Sequence, residues 1–168
     1  LEGRNPEYPV RALQEDLETV RRRVALMRAD ASSPDTRLSD DMNPMNPAVT
    51  ETLTRLMLGG LPTGRIGFPL HCRLRYFDPE RRRAGVPEGV AALVDSMADD
   101  EVTVRLVNLD PLEGRTVVVQ GGAYAEHRIL GVEDGDRTVS VEASDFNLYL
   151  APGSGCRLRI GMKRYAHQ

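Results

Sequence analysis

The sequence predicts a mainly β protein, an antiparallel β-sandwich of jelly-roll type that is preceded by two helices. Apolar and β-branched residues alternate with polar ones between residues 70 and 163, which is the two-residue period of half-buried strands. The last run shows this best, because Leu158 and Ile160 alternate with Arg157 and Arg159. Gly, Pro and Asp turns divide the region into short runs, and no crossover helix separates the last six.

Seven strands are predicted from this alternation. They span Leu70–Phe77, Val102–Leu109, Thr116–Gln120, His127–Val132, Thr138–Ala143, Phe146–Leu150 and Cys156–Lys163. A short amphipathic helix is predicted at Pro87–Ala98, because Val90, Leu93, Val94 and Met97 share one helical face after a proline.

Two further helices precede the strands. The first begins near Pro9, and apolar residues at spacings of three and four form a stripe along it. This apolar stripe consists of Val10, Leu13, Leu17, Val20, Val24 and Met27. The second helix is predicted to begin with Asn46 as its cap and Pro47 in its first turn, and to end at Gly59. We therefore divide the chain into a helical extension at residues 1–60 and a β-sandwich at residues 61–168.

A polar segment rich in Ser, Asp, Asn and Pro lies between the two helices, at residues 31–47. Loops of this length are usually either functional or disordered. Asp40, Asp41 and Asn43 are the candidate binding residues here, for a site in a larger assembly. The alternative is a solvated linker.

Composition limits the classes of partner. The formal charge of −3 gives no attraction to phosphate backbones, and no apolar run reaches membrane-spanning length, so we expect neither a nucleic-acid nor a membrane partner. Cys72 and Cys156 are expected to be reduced, with a disulfide between them as the alternative. Residue 1 is Leu, so we expect a fragment of a longer protein, with a cytoplasmic location favoured.

The tetrapeptide Cys-Arg-Leu-Arg occurs twice, each time within a predicted strand. If the two strands were neighbours, Arg73, Arg75, Arg157 and Arg159 would form a basic stripe suited to a carboxylate or phosphate ligand. The alternative is that these arginines pair across the sheet with carboxylates such as Glu142, Asp145 or Glu126, as outward-facing strand residues often do.

The segment at residues 120–128, here called the glycine-rich rim, joins two predicted strands and carries Tyr124, Glu126 and His127. These three residues are candidate ligand-binding residues. Consecutive residues of an extended strand point to opposite faces, so Glu126 and His127 are not expected to serve one reacting centre without a bulge. The three isolated histidines have no metal-ligand spacing, and we expect neither a metal site nor a cofactor.

Three segments together carry a family resemblance: Val102 to Asp110, Arg115 to Val119, and Leu148 to Ile160. They resemble the C-terminal β-sandwich of multidomain bacterial carbohydrate-active enzymes, over about the last 70 residues. The resemblance implies that catalysis belongs to a preceding domain, which the sandwich braces. No catalytic motif of such enzymes aligns with this chain.

Three functions follow as hypotheses. The first is a non-catalytic accessory β-sandwich of a larger carbohydrate-active enzyme such as a glycoside hydrolase, docked through the apolar stripe to the preceding catalytic domain or to another chain. The second is a self-contained small enzyme or sugar-acid-binding module that uses the glycine-rich rim and the basic stripe. The third is an oligomerisation module in which the apolar stripe pairs with its own copy.

Overall fold

The computed structural model describes residues 5–33, 45–60 and 72–165. Residues 6–53 and residues 54–165 belong to two separate compact units. The predicted residues Asp40, Asp41 and Asn43, and the start of the first predicted strand at Leu70, lie outside the described residues. The boundary after residue 60 stays a prediction.

The first unit contains helix α1, Tyr8–Ala29. Pro9 lies in its first turn, where a missing backbone N–H costs nothing, and the helix ends at the extended residue Asp30. The predicted start near Pro9 is confirmed. Within the described residues no helix is both long enough and apolar enough to cross a bilayer.

Helix α2, Glu51–Leu58, begins later than predicted. The side chain of Asn46 accepts a hydrogen bond from the N–H of Ala48 at 2.9 Å, so Asn46 closes a local turn and does not cap a helix. The predicted end is confirmed: Gly59 adopts a φ of 61°, and its N–H donates to the carbonyl of Arg55.

The predicted mainly β sandwich fold is confirmed. Within the described residues the second unit contains nine strands, all paired antiparallel: β1 Leu74–Asp78, β2 Arg83–Ala84, β3 Val90–Met97, β4 Glu101–Asn108, β5 Arg115–Gly121, β6 Arg128–Asp134, β7 Arg137–Ala143, β8 Asp145–Leu150 and β9 Gly155–Lys163. They form a four-stranded sheet in the order β2-β1-β5-β8 and a five-stranded sheet in the order β3-β4-β9-β6-β7.

The predicted helix at Pro87–Ala98 is wrong, because this segment forms strand β3. Val90, Ala92 and Val94 are buried in alternation, and β3 pairs with β4 over almost its whole length. Gly89 precedes the strand with a φ of 78°, outside the helical region. Val90 and Val94 satisfy both the helical and the strand period, and pairing with β4 decides between them.

The core is formed by the inward-facing residues of both sheets. Strands β1, β5 and β8 contribute from one sheet and strands β3, β4, β6 and β9 from the other. The core residues with no exposed surface are Leu74, Val102, Val104, Leu106, Val117, Val119, Ile129 and Ile160. The hydroxyl of Tyr76 donates to the carbonyl of Met57 at 2.9 Å, which ties the end of α2 to this core.

Asn108 is a buried polar junction at the end of β4, with 1% of its surface exposed. Its amide nitrogen donates to the carbonyls of Glu113, Leu150 and Ala151, and its amide oxygen accepts from the N–H of Asp110 at 3.0 Å. One side chain therefore holds the β4–β5 turn against the end of β8.

Replacement of Asn108 by aspartate should destabilise the protein at pH 7 by more than about 2 kcal/mol, because the carboxylate oxygen that replaces the amide nitrogen would face three carbonyl oxygens without a donor. Urea unfolding measures the change. Asn147→Asp makes the same substitution at an exposed position of β8 and should change stability by less than about 0.5 kcal/mol. Equal effects of the two substitutions would contradict the assigned role of Asn108.

Candidate functional site

The glycine-rich rim joins β5 to β6 as a closed loop. The N–H of His127 donates to the carbonyl of Gly121 at 3.1 Å, which closes it, and the N–H of Gly122 donates to the carbonyl of Arg73 at 2.7 Å. Gly122 has a φ of 85° and Ala125 a φ of 61°, so the chain turns through the left-handed region twice. The rim is therefore a tight turn fixed to the segment before β1.

The carboxylate of Glu126 is hydrogen-bonded within the glycine-rich rim. The carboxylate accepts hydrogen bonds from the backbone N–H groups of Ala123 at 3.2 Å and Tyr124 at 2.7 Å. Burial by itself would raise the pKa of Glu126, but hydrogen bonds from the backbone N–H groups of Tyr124, Glu126 and Ala123 outweigh it and the pKa is lowered. The carboxylate is thus ionised near neutral pH and serves as a cap for the turn.

His127 is buried, with 2% of its surface exposed. Its Nδ1 accepts from the backbone N–H of Tyr165 at 3.3 Å, which places the proton of the neutral ring on Nε2. Burial lowers the pKa of His127 most strongly, the charge of Glu126 opposes this, and Arg164 and Arg73 lower the pKa further. The ring is therefore neutral at pH 7.

The expectation that Glu126 and His127 face opposite sides is wrong. His127 Nε2 lies 4.0 Å from Glu126 Oε1, because the two residues belong to a turn and not to an extended strand. The contact does not make them an exposed acid/base pair. The carboxylate is occupied by backbone donors, and the imidazole is shielded from solvent.

Arg75 and Gln120 anchor the rim from the neighbouring strands. Arg75 Nη1 donates to the carbonyl of Ala123 at 2.8 Å, and its guanidinium lies 5.0 Å from the centre of the Phe77 ring. The side chain of Gln120 donates to the carbonyl of Gly122 at 3.1 Å. Among the three candidate residues of the rim only Tyr124 is largely exposed, at 75%.

The predicted basic stripe does not form, because Arg73 and Arg75 lie at the four-stranded sheet whereas Arg157 and Arg159 lie on β9 in the five-stranded sheet. Arg157 pairs with Asp95 at 2.9 Å, and Arg159 pairs with Glu133. The alternative of cross-strand ion pairs is correct for these two arginines, although their partners differ from those expected.

Arg73 has a partner that sequence reasoning missed. Arg73 Nη1 and Arg164 Nη1 each donate to the backbone carbonyl of Asp99 at 3.2 Å. Arg164 follows directly after β9 and is far from Arg73 in the chain, so no spacing pattern could join the two residues. The fold brings them together beside His127, whose pKa both lower.

The two cysteines are free thiols, so the alternative of a disulfide between Cys72 and Cys156 is contradicted. Burial raises the pKa of Cys72 to about 11, the charge of Glu126 raises it too, and Arg75 acts in the opposite direction. The thiolate, which is the nucleophilic form, is therefore scarce at neutral pH. In the described part of the chain no group of three or more His, Cys, Asp and Glu residues is arranged to hold a metal ion.

The apolar stripe of α1 is partly exposed. Val10 is 56% exposed, Leu17 47% and Met27 51%. A second set of exposed apolar residues lies on the sandwich near the β4–β5 turn, and it consists of Leu109, Leu112 and Tyr149. Isolated exposed apolar residues are common, but runs of this kind are typical of interaction surfaces.

Stability should fall between pH 7 and pH 5 through His127. The pKa of His127 is lowered in the folded state, so below the unfolded value of about 6.5 the unfolded chain binds more protons and stability is lost as pH falls. Urea unfolding at several pH values measures this, and His127→Gln should flatten the curve in this window. A slope in the variant equal to that of the wild type would contradict the prediction.

The carboxylates of Glu126, Asp78 and Asp110 titrate outside this window. Their pKa values are lowered, so their contribution to stability is lost only below about pH 4.5.

Gly122→Ala should destabilise the protein more than Gly135→Ala. Both glycines have a positive φ, but a methyl group at Gly122 would overlap the Glu126 carboxylate, whereas one at Gly135 would meet nothing within 4 Å. We expect about 1 kcal/mol for Gly135→Ala and at least about 1 kcal/mol more for Gly122→Ala. Urea unfolding of both variants measures the difference, and equal losses would contradict a structural role for the Glu126 cap.

Comparison with known protein families gives a partial match. A family model described as a domain of unknown function, DUF8034, matches residues 1–54, about a third of the chain. The match covers α1 and the start of α2 and ends where the sandwich unit begins. No curated protein and no solved structure matches the chain.

Proposed function

We propose that this chain is a non-catalytic accessory β-sandwich of a larger carbohydrate-active enzyme, such as a glycoside hydrolase. The observation that carries the proposal is the state of the groups that could do chemistry. The Glu126 carboxylate caps a turn, the His127 ring is buried and neutral, and the Cys72 thiol has a pKa of about 11. Each of these groups supports the fold.

The exposed apolar residues support docking to a neighbouring domain. The apolar stripe would contact the preceding catalytic domain of the same protein, as the exposure of Val10, Leu17 and Met27 favours. Leu112, which is 85% exposed on an ordered turn, gives the sandwich a second apolar contact. Burial of such side chains against a partner would contribute about 25 cal/mol for each Å² of apolar surface removed from water.

The carbohydrate part of the proposal is based on the family resemblance of residues 102–160. In enzymes of that kind the sandwich braces the catalytic domain and sometimes contributes a loop to the cleft. The glycine-rich rim is the segment we assign to such a contact, since Tyr124 projects from it into solvent while the residues around it are anchored.

The accessory role predicts that the purified chain does not turn over glycans. Hydrolysis is measured by release of reducing sugar and elimination by ultraviolet absorbance of the unsaturated product, over a panel of neutral and uronic-acid polysaccharides. Turnover that is lost in Glu126→Gln and kept in Glu142→Gln would contradict the proposal and favour a self-contained enzyme. Glu142 is a matched control because it lies on β7, where it pairs with Arg128.

Docking is tested separately with the polypeptide encoded upstream of Leu1 in the same reading frame. We expect it to bind this chain and Leu17→Glu to weaken binding at least tenfold, which corresponds to about 1.4 kcal/mol. Glu18→Gln, a change at the neighbouring exposed position of α1, should leave affinity unchanged. Absence of an upstream catalytic domain, or concentration-dependent dimers that Leu17→Glu abolishes in sedimentation, would contradict docking and favour an oligomerisation module.

A further inference from the structure

Two arginines of the sandwich share a single backbone acceptor. Arg73 and Arg164 each place Nη1 3.2 Å from the carbonyl oxygen of Asp99. Each guanidinium carries five N–H donors and no acceptor, so one carbonyl leaves most of their hydrogen-bonding capacity unused. Arg164 Nε is in addition buried without an acceptor.

This pair differs from seven other arginines of the sandwich, which lie within ion-pair distance of a carboxylate. In the described part of the chain neither Arg73 nor Arg164 has a carboxylate oxygen within the 4.0 Å limit of an ion pair. Carboxylates do lie within this distance of Arg81, Arg83, Arg105, Arg115, Arg128, Arg157 and Arg159.

Two like charges are held close together here. Burial lowers the pKa of Arg73, and the neighbouring charge of Arg164 lowers it further, while the Asp99 side chain raises it without forming an ion pair. The carboxylate of Glu126, which like the two arginines lies near His127, is occupied by the N–H groups of Ala123 and Tyr124. An added negative charge would therefore relieve the repulsion between the two guanidinium groups.

The ring of His127 lies near both arginines, and because it is neutral it adds no positive charge beside them. The buried His127 ring accepts a hydrogen bond at Nδ1 from the N–H of Tyr165, next to Arg164, and the N–H of Gly122 donates to the carbonyl of Arg73. The backbone positions from which the two guanidinium groups extend are thus fixed by strand ends and by the rim. Such preorganisation lowers the entropic cost of binding a small ligand.

We propose that Arg73 and Arg164 form a binding site for a small oxyanion, a carboxylate or a phosphate group. Both groups present several acceptor oxygens to the planar guanidinium forks. A sugar acid and a sugar phosphate each carry such a group, and the two sources are separated by the test. The site does not depend on the accessory role proposed above.

The test uses inorganic phosphate and glucuronate as probes, each titrated into the whole chain at constant ionic strength. Isothermal titration calorimetry and the melting temperature should both show saturable binding at millimolar concentration, since a ligand of the folded state raises the melting temperature by mass action. Arg164→Gln and Arg73→Gln should each weaken binding at least tenfold. Arg137→Gln, which removes an exposed charge from β7, should leave binding unchanged.

The two probes identify the ligand class. Binding of both probes supports a general oxyanion site, binding of phosphate alone supports a phosphate ligand, and binding of glucuronate alone supports a carboxylate ligand. A response that does not saturate, or that is equal in the wild type and in Arg164→Gln, would overturn the proposal.

A second measurement covers the case in which an arginine variant fails to fold. In the wild-type chain the Nε–H signals of Arg73 and Arg164 should shift on addition of phosphate in NMR spectra, whereas the signal of Arg137 should not. Equal shifts of all three signals would mean unspecific screening and would overturn the proposal.

Discussion

The two-residue burial period of the central strands is the constraint on which the rest of this structure depends. Leu106 on β4 and Ile160 on β9 have no exposed surface, while the residues that precede them, Arg105 and Arg159, are exposed to solvent. A slip of one residue in the register would bury those charges and expose the apolar face. The register therefore fixes at once which residues form the core and which arginines face outward.

The strand register also determines the role of the polar residues in the glycine-rich rim. Strand β5 ends at Gly121 and β6 begins at Arg128, so the connecting rim is short and must turn sharply. Its carbonyl and N–H groups need partners, and Arg75, Gln120 and Glu126 provide them. Residues that resemble an active site in the sequence are thus used to satisfy the backbone of a tight turn.

The sequence predicts local features well and non-local ones poorly. Strands β4 and β9 and helix α1 were predicted within two residues, because their periods are long and uninterrupted. The helix predicted at the β3 segment is wrong, because its valines fit both the helical and the strand period. Only the pairing with β4 decides between the two. The predicted basic stripe does not form, because the order of strands in a sheet cannot be read from local sequence. The shared acceptor of Arg73 and Arg164 could not be predicted for the same reason.

Electrostatics separates the two kinds of arginine that this fold creates. On the five-stranded sheet four arginines lie within ion-pair distance of a carboxylate, and Arg105 and Arg157 share the carboxylate of Asp95. Exposed pairs of this kind contribute little to stability, and each carboxylate offsets part of the positive charge beside it. Arg73 and Arg164 share the carbonyl of Asp99, and among the described residues no carboxylate lies within ion-pair distance of either, so the positive charge of this pair is less fully offset. A sandwich in which Glu126 and His127 support the fold therefore still has guanidinium donors left over beside the glycine-rich rim.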